Sequence, residues 1–109
     1  MRLITARTIE QFAADHPEVK QQLADWCAMV EAARWRDAAH LQKSSFAFPT
    51  RPIGGKRIVF NIKGNDYRII VSIRYADEAR NLNGIVFVRF IGTHAEYDRV
   101  DAETVDQNY

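Results

Sequence analysis

The stretch Arg57-Ile58-Val59-Phe60-Asn61-Ile62-Lys63-Gly64-Asn65-Asp66-Tyr67-Arg68-Ile69-Ile70-Val71-Ser72-Ile73-Arg74-Tyr75 decides the fold. In its first limb Ile58, Phe60 and Ile62 fall on one side, with Arg57, Val59 and Asn61 on the other. In its second limb Tyr67, Ile69, Val71, Ile73 and Tyr75 share a side. A period of two is the mark of a strand. Lys63-Gly64-Asn65-Asp66 between the limbs is turn chemistry. A four-residue loop there pairs Ile62 with Tyr67 and Asn61 with Arg68.

Downstream, residues 76–84 are polar and end in Asn-Gly, a longer loop. Residues 85–91 form a third strand, apolar enough to sit inside the sheet, and Gly92-Thr93 ends it. Residues 94–98 suit one helical turn. Upstream the pattern is helical. Thr8 and Gln11 have the spacing of a capping box, followed by Ile9 and Phe12 as a short apolar stripe. Pro17 suits the first turn of a second helix over residues 17–34, where Val19, Leu23, Trp26, Val30 and Ala33 make one apolar face. Cys27 lies beside that stripe and reads as a small buried thiol. A third short helix over residues 36–42 starts near Asp37, and residues 2–4 can add a strand to the sheet. Segregated helices and strands make an α+β domain, with N-terminal helices packed on one face of a small antiparallel sheet. The other face is left partly open and carries the basic residues.

A chain of 109 residues is one domain. Its 47% hydrophobic and 27% charged residues are ordinary for a globular protein with one modest core. One cysteine excludes an internal disulfide framework, and with His16, His40 and His94 scattered, Cys and His alone assemble no zinc pattern. The apolar runs fall short of a membrane span, and no apolar stretch of signal-peptide length follows Met1-Arg2-Leu3-Ile4-Thr5. The expectation is a soluble cytoplasmic protein. Charge is unevenly spread. Arg51, Lys56, Arg57, Lys63, Arg68 and Arg74 against Asp66 give the middle +5. Asp98, Asp101, Glu103 and Asp106 against Arg99 give the tail −3. A basic middle suits a polyanion, and equally a sheet edge kept solvated by charge.

The residues with chemical capacity lie in and after the strands. Arg68 and Arg89 each sit mid-strand among apolar neighbours, where an unpaired guanidinium is costly. Each must reach solvent, a carboxylate or a ligand phosphate; sharing a face, they could clamp one phosphodiester. The strand register decides whether they do. His94 and Tyr97 follow the last strand directly. His94 suits proton transfer near neutral pH and Tyr97 suits orienting a phosphate, while a helix-start hydrogen bond and simple packing are the plainer readings of the two. Lys56 and Lys63 flank the first strand of the hairpin, as phosphate contacts or as solvated turn lysines. Trp26 belongs to the core stripe; Trp35 fits core or surface. There is no P-loop, dinucleotide fingerprint or serine-nucleophile elbow.

Two segments carry a resemblance. Val59-Phe60-Asn61-Ile62-Lys63-Gly64-Asn65-Asp66-Tyr67-Arg68-Ile69-Ile70 and Val88-Arg89-Phe90-Ile91-Gly92-Thr93-His94-Ala95-Glu96-Tyr97-Asp98, in that order, resemble the HigB-type toxins of type II toxin–antitoxin pairs, within the RelE superfamily. The likeness is strong over the second half of the chain. It implies a RelE-like fold and an endoribonuclease that cleaves mRNA on the translating ribosome without a metal or other cofactor. The implied chemistry is attack of a ribose 2′-hydroxyl on the adjacent phosphate. Arg68 and Arg89 would hold the phosphate, and His94 or Tyr97 would carry a proton. Lys56 and Lys63 would contact RNA, with Asn61, on the same side as Arg68, orienting it. The implied partners are a HigA-like helix-turn-helix antitoxin, mRNA and the ribosome, with DNA reached only through the antitoxin. A second reading keeps the fold and the basic face as a non-catalytic RNA- or ribosome-binding regulator. A third is a protein-interaction domain with no nucleic acid ligand.

Overall fold

In the computed structural model, which describes residues 1–45, 47–54 and 56–107, Asn61 stands opposite Arg68 and Ile62 opposite Tyr67. The hairpin therefore has the register its loop length predicts. Its strands are β3 (Arg57–Ile62) and β4 (Tyr67–Arg74). They lie in a sheet with β1 (Arg2–Ile4), β2 (Thr50–Ile53) and β5 (Ile85–Thr93), in the order β1-β5-β4-β3-β2. Every neighbouring pair is antiparallel except β1 with β5, which is parallel.

β2 was not anticipated. Thr50-Arg51-Pro52-Ile53 is short and contains a proline, which cannot donate to a ladder and so argues against a central strand. It occupies the sheet edge, where proline is tolerated.

Helices cover one face. α1 (Ala6–Asp15) starts two residues before Thr8. The expected capping box is absent: Thr5 precedes the helix in a left-handed conformation, φ 70°, and its carbonyl accepts from Thr8 N–H. A 3₁₀ turn, Pro17–Val19, leads into α2 (Lys20–Ala32). The Tyr67 hydroxyl donates to Glu18 and ties that turn to the sheet. α3 (Ala38–Ser44) is capped by the Asp37 side chain, which accepts from His40 N–H at 2.7 Å. The expected stripe is the core: Val19, Leu23, Trp26 and Val30 are buried against Ile58, Phe60, Ile69, Val71, Val86 and Val88. Trp35 is also in this core, its ring 6.2 Å from Phe60.

Cys27 is half-buried between α1 and α2 rather than enclosed. Loss of hydration, reinforced by Glu31 and Glu10, pushes its thiol up to about 11. The thiolate is the nucleophile, so at pH 8 the folded chain should react with iodoacetamide about a hundredfold more slowly than the urea-unfolded chain. Equal rates would show that the groove does not shield the sulfur.

The opposite face begins with a fault in the β4–β5 ladder. Ile70 pairs with Phe90 but Val71 pairs with Val88, leaving Arg89 as an extra residue. This β-bulge puts two consecutive residues on one side. Val88 and Ile91 lie under the helices, whereas Phe90 joins Val59, Ile70 and Tyr97 in a small cluster on the far face. That face is only partly open. After α4 (His94–Tyr97) the chain turns back across it, and Val100, Ala102 and Val105 pack on the cluster. Arg57 Nη1 donates to the carbonyls of Ala102 and Val105, at 3.1 and 2.6 Å. Gln107 then bonds the edge of β5 beyond the end of β1, through Arg89 O and Ile91 N.

Candidate active site

Tyr97 is the best-anchored polar side chain on that face. It is 9% exposed, and its ring lies 6.4 Å from Phe90, edge to face. Arg51 Nη2 donates to its hydroxyl at 2.9 Å. The Arg68 guanidinium lies over its ring, 4.5 Å from the centroid. Arg68 is fixed in turn by Asn65, whose Oδ1 accepts from Nη2 at 2.8 Å. Its Nε is buried and makes no hydrogen bond. Opposite Arg68 on β5 is Gly92, where an added Cβ would stand 2.6 Å from the Phe90 ring; the glycine lets strand, ring and α4 approach closely.

α4 is a single turn and holds its shape through its cap. Thr93 Oγ1 accepts from Glu96 N–H at 3.2 Å, and Glu96 Oε1 accepts from Thr93 N–H at 2.9 Å. This reciprocal box satisfies donors that a short helix would otherwise leave unpaired. His94 N–H donates to Asp66 O, which ties the turn to the β3–β4 loop. His94 Nδ1 stands 3.1 Å from Asp98 Oδ2, with the imidazole half-exposed. Replacing Thr93 with alanine should cost about 1 kcal/mol and lower the melting temperature by about 5 °C, read by circular dichroism. An unchanged melting temperature would mean that packing of Tyr97, not the cap, holds the turn.

The residues singled out in the sequence fall into two groups. Arg68, Tyr97, His94 and Asn61 lie together at one end of the face: Asn61 is the cross-strand neighbour of Arg68, and His94 and Tyr97 share one helical turn. Lys63, exposed and in a left-handed turn at φ 53°, is in the loop that carries Asn65 and Asp66. Arg89 and Lys56 lie elsewhere. Arg89 stands on the same face as Arg68 but has its own partners: Nε donates to Ser72 Oγ and Nη1 to Asp106 Oδ2, both at 3.0 Å. Ile70 separates Arg68 from Ser72 along β4, and four residues of strand span about 13 Å. The expected clamp of two guanidiniums on one anion is not how these side chains stand; the bulge carries Arg89 toward Ser72 and away from the Tyr97 end. Arg51 is the residue that sequence reading missed, because the strand that presents it was missed.

Among the described residues, no three His, Cys, Asp or Glu side chains converge to hold a metal ion. No helix among them is long and apolar enough to cross a membrane.

A family model described as HigB toxin, the RelE-like toxic component of a toxin–antitoxin system, matches residues 19–100, about three quarters of the chain. The chain belongs to the HigB toxin family. No curated protein matches it. The HigB match takes in β2 to β5 and α2 to α4, and so every residue of the Tyr97 cluster. The α+β arrangement, with helices on one face of a mostly antiparallel sheet, agrees with the RelE-like description. As the toxic component of such a system, a HigB toxin has an antitoxin as its partner.

Proposed function

We propose that this toxin is an endoribonuclease that cleaves mRNA on the translating ribosome, in the cytoplasm. The observation that carries the reading is Tyr97, gripped by Arg51 at its hydroxyl and by Arg68 across its ring, one helical turn from His94. Cleavage of RNA by its own 2′-hydroxyl needs three things from a protein. A base must take the hydroxyl proton as the oxygen attacks phosphorus. Positive charge must meet the phosphorane. An acid must protonate the departing 5′-oxygen, leaving a 2′,3′-cyclic phosphate and a 5′-hydroxyl. Arg68 supplies charge and a fork of donors, with one buried N–H still without an acceptor. His94 and Tyr97 are the proton carriers, and the Arg51 bond orients the tyrosine oxygen. Asn61 and Lys63 border the same end and contact the strand that Arg68 holds. No step requires a cofactor, since side chains supply acid, base and charge.

The antitoxin is of the HigA-like helix-turn-helix type, which reaches DNA on behalf of the pair. The decisive experiment is induction of the toxin without its antitoxin, followed by mapping of transcript ends and by incubation of purified toxin with mRNA, with and without ribosomes. Growth arrest with new 5′-hydroxyl ends on translated transcripts is the expected result. Intact transcripts under growth arrest would move the reading to an RNA- or ribosome-binding regulator, and harmless expression would overturn both.

A further inference from the structure

Arg89, set apart from the Tyr97 cluster by the bulge, has cationic company of its own. A cavity of about 360 Å³ on the open face is lined by Lys56, Ser72, Arg74, Phe87 and Arg89. Lys56 and Arg74 are exposed, whereas Arg89 is half-buried with its guanidinium 5.1 Å above the Phe87 ring. That stacking and the Ser72 bond hold the guanidinium in place. Arg57, across the ladder from Ser72, adds a fourth positive charge beside Arg89, and burial together with Arg89 holds its guanidinium below the usual range. The acids facing this group come from the returning tail: Asp106, 3.0 Å from Arg89, and Asp101, whose charge acts on Arg57.

A carboxylate on a guanidinium at the rim of a cationic cavity occupies the place a phosphate oxygen would take. We infer that the Lys56–Arg74–Arg89 cavity is a second anion subsite, which holds a backbone phosphate of the RNA strand away from the cleavage point, with Asp106 as its resident competitor. The inference rests on the RNA reading above. It gives Arg89 a strand-holding role. The subsite lies on the same face as Arg68, and a few nucleotides of one strand bridge the two. Since the four cations there exceed what Asp106 and Asp101 neutralise, a phosphate relieves repulsion as well as forming new bonds.

The test is fluorescence anisotropy with a 2′-O-methyl RNA of about twelve nucleotides, which the 2′-hydroxyl route cannot cleave, titrated over a range of salt. Lys56→Ala/Arg74→Ala should weaken binding about tenfold near 0.1 M salt and flatten the log–log salt slope by about 0.7, the value for losing one phosphate contact on a single strand. Lys56→Arg/Arg74→Lys should bind like wild type. Asp106→Asn should bind about threefold more tightly, since it removes the competing carboxylate. Wild-type affinity and slope in the alanine double variant would overturn the subsite while leaving the nuclease reading intact. A double variant that loses binding to a polyglutamate peptide but not to RNA would also overturn it, in favour of an acidic protein segment. A wild-type protein with no affinity for this free RNA would overturn the subsite, while the mapping of transcript ends decides the nuclease reading on its own.

Discussion

Arg68→Ala is expected to slow mRNA cleavage by about a hundred- to a thousandfold and to let cells tolerate induction of the toxin. The variant removes the guanidinium over the Tyr97 ring and the fork of donors beside Gly92. It should fold, because the guanidinium makes one hydrogen bond to the exposed Asn65 and one cation–π interaction, together worth about 1 kcal/mol. Thermal melts therefore separate a lost site from a lost fold. Arg68→Lys keeps the charge but not the planar fork, and should recover only part of the activity. Cleavage by Arg68→Ala at the wild-type rate would remove Arg68 from the site and leave Tyr97 without its charge partner for the chemistry.

Trp26→Ala should produce the largest loss of stability, about 3–5 kcal/mol, read as a lowered midpoint in urea denaturation. Trp26 is fully buried, and its ring meets Phe60 edge to face at 5.4 Å. A domain with about 5–15 kcal/mol in total leaves little margin for such a cavity. Trp26→Phe should cost distinctly less. The indole N–H is buried without a hydrogen-bond partner, and phenylalanine removes that unsatisfied donor while keeping most of the ring. A midpoint for Trp26→Ala close to wild type would mean that α2 is not pinned to the sheet through this side chain.

Local chemistry made some elements legible and hid others. The β3–β4 hairpin could be placed residue by residue, because its alternation and its loop length both point to one register. The stripe from Val19 to Val30 was legible for the same reason: one period persists over several turns. Arg89 was not placed, since a bulge breaks the period of two in a strand with apolar residues on both sides. Strict alternation would set Arg89 against Phe90; the extra residue puts both on the open face. Arg51 was missed for a different reason, because Pro52 beside it argues against any strand. The start of α1 was displaced because Thr8 and Gln11 have cap spacing, yet the chain enters the helix through the strained backbone of Thr5. The tail was read only as an acidic run. Its course over the open face depends on Val100, Ala102 and Val105, spaced too irregularly to signal an element. The arrangement was half-legible as a result: Asn61 stands opposite Arg68 as the hairpin register requires, and the tertiary course of the chain decides the company of Arg89.

The parallel pairing of Arg2, Leu3 and Ile4 with Ile85, Val86 and Phe87 joins segments 83 residues apart in sequence. Such a pairing closes a long loop and carries an entropy cost that a local hairpin does not. During synthesis the N-terminal segment is made well before its β5 neighbour. The five-stranded sheet is therefore complete only after β5 has been made, whereas the β3–β4 hairpin needs nothing beyond Arg74.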